Sequence, residues 1–306
     1  MPTQETFQKK YDIEQLIEAV AVTAEHIGAE YDKDVMRRPL TLLREPFEAG
    51  FTAYRTTTGH KRTINLRYIN LETPFYPFDI ALKNGLIKNN GHPILGIIPT
   101  FMNHLGVTPR SGIFGVDVGA ASGFEKIWFF FPNSVPLAEF IKIPGLPGGV
   151  KAHVDYFKKH QLDTMKLIGV DFPAKSINLY FFAWEIGGLT PQKSADMLGD
   201  LGLNVPNDEV LQHCASALPV YYTFKWDSPE VQRVCFACFA PEPALVPKWD
   251  PIIDDFVANA VTIANQRMFM YNPTFNRNGQ DFTKIEMGFD EFPKFIQPTP
   301  AENPAA

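Results

Sequence analysis

The stretch MKLIGVDFPAKSINLYFFAW, residues 165–184, decides the fold. Met165–Asp171 and Lys175–Trp184 are each rich in apolar, β-branched and aromatic residues, with Pro173 between them. Proline lacks the amide donor that a sheet interior needs, so it marks a turn and the stretch reads as a two-stranded hairpin. Helical spacing precedes the pair at Leu137–Ile141 and Gly149–His160. The same order recurs on both sides. Upstream, helical patterns over Ile13–Ile27 and through Val35–Phe47 lead to strands at Phe51–Thr57 and Arg62–Asn70. Helices at Phe78–Leu86 and His92–Leu105 then lead to strands at Ser111–Val118 and Phe124–Phe131. Downstream, helices at Pro191–Leu201 and Asp208–Ser216 lead to strands at Pro219–Trp226 and Val231–Ala240. One clear helix, Asp250–Ala264, leads to strands at Arg267–Phe275 and Asp281–Phe289.

Strand pairs that recur every roughly fifty to sixty residues signal a solenoid, propeller or closed array. Hairpins are antiparallel, and five of them give ten strands. Closing these into a barrel removes the exposed sheet edges. Helices then cover the outside, so each strand is apolar outward and free to be polar inward. The expectation is an α/β (strictly α+β) fold: a ten-stranded antiparallel closed barrel built from five ααββ repeats, helices outside, with room for a cavity. Residues 1–297 form a single domain, and the Pro/Ala-rich residues 298–306 a flexible tail.

Over 306 residues the formal net charge is −6, which argues against nucleic acid or an anionic membrane as the main partner. Met1–Lys10 has neither the apolar core of a signal peptide nor an Arg-rich transit pattern, and no apolar run reaches the length of a membrane span. Three cysteines, Cys214, Cys235 and Cys238, fit a reducing cytoplasm rather than a disulfide framework. Cys235 and Cys238 have redox-motif spacing but lie in a strand pattern. Residues three apart on a strand face opposite sides, so both read as packing residues. The chain is read as a monomer of the cytoplasm.

The second strand of each pair carries a cation near its start: Arg67, Lys126, Lys175, Arg233 and Lys284. One basic residue at a strand end is normally solvated. Equivalent positions in a closed barrel lie at similar height around one axis, so inward-pointing cations form a collar. Crowded like charges are costly unless an anion compensates them, and diphosphate is the natural guest. Aromatic residues accompany the collar. Trp128 shares a face with Lys126, and Tyr180 with Asn178; Tyr221 and Trp226 lie in the fourth pair. Aromatic faces in a dry chamber shield an allylic cation from water, so the guest reads as a prenyl diphosphate. Glu286 lies two residues after Lys284 and shares its inward face. There it either accepts a hydrogen bond from a phenol, raising the ring's nucleophilicity, or pairs within the collar.

These residues resemble the ABBA aromatic prenyltransferases, the PT-barrel enzymes of bacterial phenol and phenazine prenylation and their small fungal relatives. The resemblance runs from Asn65 to Phe289. It rests on Gly85-Leu86 with Gly91-His92-Pro93, Gly123-Phe124 through Phe131-Pro132, Val170-Asp171, and Ile177 through Phe181. It rests further on Leu201 through Pro206, Arg233 through Ala237, and Leu245-Val246-Pro247. It implies diphosphate contacts at Lys126, Asn178, Tyr221, Arg233 and Lys284, joined by Arg67 and Lys175. It implies cation shielding and acceptor stacking at Tyr180 and Trp128. Lys166 and Leu218 join Trp128 and Glu286 as expected acceptor contacts. Metal-dependent relatives hold magnesium with an aspartate where this chain has Asn65, a poor magnesium ligand. Arg67 stands nearby to replace the metal's charge. No metal site and no required cofactor are expected.

Other signals weigh less. Residues 116–123, VDVGAASG, resemble a methyltransferase glycine loop, but a strand follows where that loop needs a helix, so a hairpin turn is expected. Asp254-Asp255 lies near a helix start and reads as capping, with no second acidic motif to chelate magnesium. The expected activity is transfer of a dimethylallyl or geranyl group to a phenolic, dihydroxynaphthalene-like ring by Friedel–Crafts alkylation. The alternative is a non-catalytic barrel that carries an anionic isoprenoid or lipid.

Overall fold

The computed structural model describes residues 10–59, 61–70 and 75–293. The tail expected over 298–306 lies outside them. The first two strands are β1 (Phe51–Thr57) and β2 (Asn65–Asn70), followed by β3 (Ile113–Gly119), β4 (Gly123–Pro136), β5 (Thr164–Asp171) and β6 (Ser176–Phe182). The remainder are β7 (Ala217–Lys225), β8 (Arg233–Ala240), β9 (Phe269–Asn276) and β10 (Phe282–Gly288). Each pairs antiparallel with the next, and β1 pairs with β10 to close the barrel. The closing register runs from Ala53 opposite Gly288 to Thr57 opposite Lys284. Every hairpin turn therefore lies at one end of the barrel, and the helical connections start from the other.

Helices α1 (Ile13–Ile27), α2 (Lys33–Leu42) and α3 (Arg44–Ala49) precede β1; α4 (Pro77–Lys83) and α5 (Ile94–Leu105) precede β3. Helices α6 (Leu137–Phe140), α7 (Gly148–Ala152) and α8 (Val154–Lys159) precede β5, α9 (Pro191–Asp200) and α10 (Asp208–Ala215) precede β7, and α11 (Pro251–Asn259) precedes β9. The repeat is as expected, with two helices subdivided. The helix expected through Val35–Phe47 breaks at Leu43, whose φ of −116° leaves the helical range. The Gly149–His160 pattern breaks likewise at His153. Helix α1 keeps its expected bounds because both ends are specified. Asp12 and Gln15 form a capping box, and Gly28 adopts the left-handed conformation that closes a helix. In α11 the cap is Asp250, which accepts from the Ile252 amide; Asp254 sits in the first turn rather than capping.

The core is the annulus between barrel and helices. Tyr54, Tyr68, Phe129, Phe181, Tyr222 and Phe224 point outward from the strands and are fully buried with Leu16, Phe101, Phe140 and Phe157 of the helices. Each such side chain stabilises the fold by about 1.5–3 kcal/mol. Residues 119–123 form the β3–β4 hairpin turn, with Gly123 at φ +80°, as the strand reading requires. Among the described residues no helix is long and apolar enough to cross a membrane.

Candidate active site

Directly opposed residues of neighbouring strands share a face, so the register gives the lining. Asp117 opposes Arg67 and Lys126; Arg55 opposes Asn65 and Glu286. Asn178 and Trp128 both oppose Gly169, Tyr180 opposes Tyr221, and Thr223 opposes Asn178 and Arg233. Lys284 opposes Asn272. Four of the five expected cations, Arg67, Lys126, Arg233 and Lys284, thus converge in the lumen.

Lys175 does not join them. It sits exposed in the β5–β6 turn with φ +48°, before β6 begins at Ser176. It also lies three positions from Asn178, so strand alternation alone would put it on the other face. A fifth lumenal cation comes from elsewhere. Arg55, on β1, was not picked out from the sequence; the alternation Phe51, Ala53, Arg55 on one face was its signal.

The collar is not uniformly cationic, which corrects the expectation of crowded, uncompensated charge. Asp117 is fully buried and receives Arg55 Nη2 at 3.0 Å, Arg67 Nε at 3.1 Å and the Trp128 indole N–H at 2.9 Å, with Lys126 Nζ at 3.9 Å. Burial alone would raise its pKa, but Arg67, Arg55 and Lys126 hold the carboxyl well below the usual range. Arg67 also reaches Glu286 Oε2 at 2.8 Å, and Lys126 reaches Asp171 at 3.4 Å. Burial favours the neutral form of Lys126, with Asp171 and Asp117 opposing it; the net shift is downward.

On the facing strands the cations meet neutral groups. Arg233 Nε donates to Thr223 Oγ1 at 2.9 Å, and Thr223 donates onward to Asn178 Oδ1 at 2.7 Å. This leaves the ends of the Arg233 guanidinium for a guest, while the Asn178 amide also meets the Tyr180 hydroxyl. Lys284 Nζ donates to the Tyr221 hydroxyl at 2.6 Å and lies 5.1 Å from that ring's centre. Among the described residues neither Arg233 nor Lys284 has a carboxylate partner. Burial, opposed by Cys235 and reinforced by Arg233, Arg55 and Lys126, holds Lys284 well below the ordinary lysine value. A cavity of about 270 Å³ at the hairpin end is lined by Arg55, Thr57, Lys61, Asn65, Phe282 and Lys284.

An aromatic wall adjoins these cations. Trp128 and Tyr180 ring centres are 5.1 Å apart, and Tyr180 and Tyr221 are 4.5 Å apart. They cluster with Leu167 and Cys235, apart from the outer core. Burial pushes both tyrosine hydroxyls up, so they remain neutral. The Arg67 guanidinium covers one face of Trp128 at 4.0 Å, so that face already holds a cation. Trp226 is outside the wall, its indole N–H on Gly145. Cys235 lines the lumen while Cys238 belongs to the outer core, so the two face opposite sides as expected, but Cys235 borders the site rather than only packing.

Glu286 is buried and pairs with Arg67 through Oε2, and Oε1 has no protein partner among the described residues. Lys166 is half-buried on β5 beside an irregularity in the β4–β5 register. Leu218 is half-buried at the β-bulge between Ala217 and Val220. Leu167 lines the lumen, so strand alternation puts Lys166 on the other face of β5. Asn65 Nδ2 donates to Glu125 Oε2 at 2.6 Å, and Asp117 already has three cations around it. A magnesium ion needs oxygen ligands whose charge is not already neutralised. This donor set does not suit one.

Cations without a carboxylate partner among the described residues, set against an aromatic wall inside a barrel, make a site whose chemistry suits an organic diphosphate. A sequence model described as aromatic prenyltransferase Orf2 matches residues 11–290, and the chain belongs to that family. It is an aromatic prenyltransferase, which decides against the carrier alternative. The chain is 28% identical over 284 residues to a 5,10-dihydrophenazine-1-carboxylate 9-dimethylallyltransferase of Streptomyces anulatus, covering 91% of this chain and 93% of that one. It is 33% identical over 196 residues to a flaviolin linalyltransferase of Streptomyces virginiae, covering 62% and 63%. Among solved structures, a 6-dimethylallyl tryptophan synthase superposes with a TM-score of 0.56 at 12% identity, covering 90% of this chain and 95% of that one. A 5-dimethylallyltryptophan synthase from Streptomyces coelicolor gives 0.54 at 7%, covering 90% and 96%. At these identities the structures show a shared fold.

Proposed function

We propose that the enzyme moves a dimethylallyl group, or a geranyl group, from its diphosphate to a phenolic acceptor of the dihydroxynaphthalene type, without needing magnesium. The observation that carries this reading is the pair Arg233, half-buried, and Lys284, buried, which have no carboxylate partner among the described residues and lie beside Tyr221 and Tyr180. Lys126, Asn178, Tyr221, Arg233 and Lys284 hold the diphosphate. The bond between prenyl C1 and oxygen breaks, and both electrons leave with the diphosphate. Tyr180 and Tyr221 present ring faces to the allylic cation. An acceptor ring carbon supplies the new bond, and loss of its proton restores aromaticity. Glu286 Oε1 accepts a hydrogen bond from the acceptor hydroxyl. Relatives named for dimethylallyl and linalyl transfer support the donor class. The occupied donor set around Asp117 and Asn65 supports metal independence. The chain is further proposed to work as a cytoplasmic monomer, which light scattering of the purified protein would test.

The test is incubation with dimethylallyl or geranyl diphosphate and a panel of naphthols, with and without excess EDTA. Prenylated naphthol is expected in both. Turnover lost in EDTA and restored by magnesium would overturn metal independence. Binding of the diphosphate with no product from any acceptor would overturn the acceptor class.

A further inference from the structure

We propose that Asp117 is a positioning residue that locks the Trp128 indole and the Arg67 guanidinium into one stacked unit, and that this unit keeps water from the allylic cation. The inference rests on the prenyl-transfer reading above. A single oxygen, Asp117 Oδ1, accepts both the Trp128 N–H at 2.9 Å and Arg67 Nε at 3.1 Å. It therefore fixes the two groups relative to each other, with the guanidinium 4.0 Å from the indole centre. Oδ2 accepts from Arg55 at 3.0 Å, so the carboxylate cannot turn away. The sequence supplies space for this arrangement. The neighbouring inward positions on β3 are Gly115 and Gly119, in the run GVDVG. A methyl group at Gly115 would run into the Tyr68 carbonyl, and one at Gly119 into Ser122 and Glu125. Asp117 is thus the one β3 side chain at this level.

A carboxylate that served only to balance charge would have no reason to hold an indole N–H, which is neutral. Arg67, moreover, already has Glu286 as a counter-ion. What the bond to Trp128 does is fix one end of the wall that continues through Tyr180 to Tyr221. After ionisation, with the electron pair of the broken C–O bond on the diphosphate, the cation takes an electron pair either from an acceptor ring carbon or from a water oxygen, and in both cases the displaced proton goes to solvent. The second route gives prenyl alcohol. An indole free to swing opens the wall and admits water, so Asp117 sets the partition between the two.

Two readouts test this on the full-length enzyme. One is the ratio of prenyl alcohol to prenylated naphthol. The other is hydrogen exchange of the Trp128 indole N–H by nitrogen-15 NMR, its signal identified by its loss in Trp128→Phe. In Asp117→Ala both are expected to rise by at least about tenfold, equivalent to about 1.4 kcal/mol. Asp117→Asn keeps an oxygen for the indole and falls between that variant and wild type. Trp128→Phe keeps the ring, loses the tether, and raises the alcohol ratio. Unchanged exchange in Asp117→Ala, or an unchanged ratio in both Asp117→Ala and Trp128→Phe, overturns the inference. If Asp117→Ala does not fold, unchanged ratios in Asp117→Asn and Trp128→Phe overturn it. A wild-type enzyme that prenylates none of the naphthols overturns the acceptor reading instead, and indole exchange still decides whether Asp117 holds Trp128.

Discussion

Five of the cations on the lumenal face fall into two groups. Arg55, Arg67 and Lys126 end on Asp117, Glu286 or Asp171; Arg233 and Lys284 end on Thr223 and Tyr221. Residue type is the same in both groups, and what differs is the partner. A cation on a buried carboxylate is structural, because removing it strands the acid. A cation on a neutral hydroxyl has charge to offer, and it raises the energy of the empty site until a polyanion arrives. The contrast separates cations that also hold the lumen's shape, Lys126 among them beside its proposed diphosphate contact, from cations that are free of that role.

The largest effect should come from the paired group. Arg67→Met leaves Glu286 without its partner and Asp117 short of one, and should destabilise the fold by about 3–5 kcal/mol, read from urea unfolding. Stability within about 0.5 kcal/mol of wild type would break the distinction. For the unpaired group the expectation inverts. Lys284→Met and Arg233→Ala relieve repulsion and should keep or raise the melting temperature. They should also weaken binding of a non-ionisable prenyl diphosphate analogue by roughly ten- to hundredfold, the worth of a charge-assisted hydrogen bond of about 1.5–3 kcal/mol. Unchanged affinity in Arg233→Ala would remove that residue from the diphosphate site.

A pH series sharpens the contrast further. The native pKa of Lys284 is depressed, so the unfolded chain binds more protons between that value and the ordinary lysine value. Through this window native stability rises with pH. Diphosphate prefers the charged amine, so binding takes up a proton, and affinity should fall by up to about tenfold per pH unit above the depressed pKa. Calorimetry of analogue binding in buffers of different ionisation enthalpy checks the proton uptake, and in Lys284→Met the slope should flatten. The smallest effect is expected at Lys175. Outside the lumen, Lys175→Ala should leave analogue affinity within about twofold, as an exposed charge would.

The architecture was legible because the strand alternation and the recurrence of hairpins are properties of single segments. Every strand begins within a few positions of where its apolar pattern does. The breaks at Leu43 and His153 were not legible, since helical spacing of apolar residues continues across both. In the site, Lys126 with Trp128 and Lys284 with Glu286 could be read, because each pair is two residues apart on one strand. Asp117 and Arg55 were missed for the opposite reason. Each is a lone charge on the first strand of its hairpin, and its importance lies in partners across strand boundaries. Lys175 failed by one residue of register, which on a strand is the whole difference between lumen and solvent.

The seam between β1 and β10 has a kinetic consequence. It joins Ala53 to Gly288, the last pairing that the chain's order permits once the hairpins have stacked. Loop-closure entropy rises only by about 0.6 kcal/mol per doubling of length, but contacts so distant in sequence form slowly. The Arg67–Glu286 pair, 219 positions apart, forms across this seam, and Lys284 arrives on the closing strand. A chain that has folded every hairpin but not yet met its own beginning therefore has open sheet edges and lacks the Arg67–Glu286 pair. Ring closure removes the open sheet edges and brings Arg67 to Glu286 in the same step.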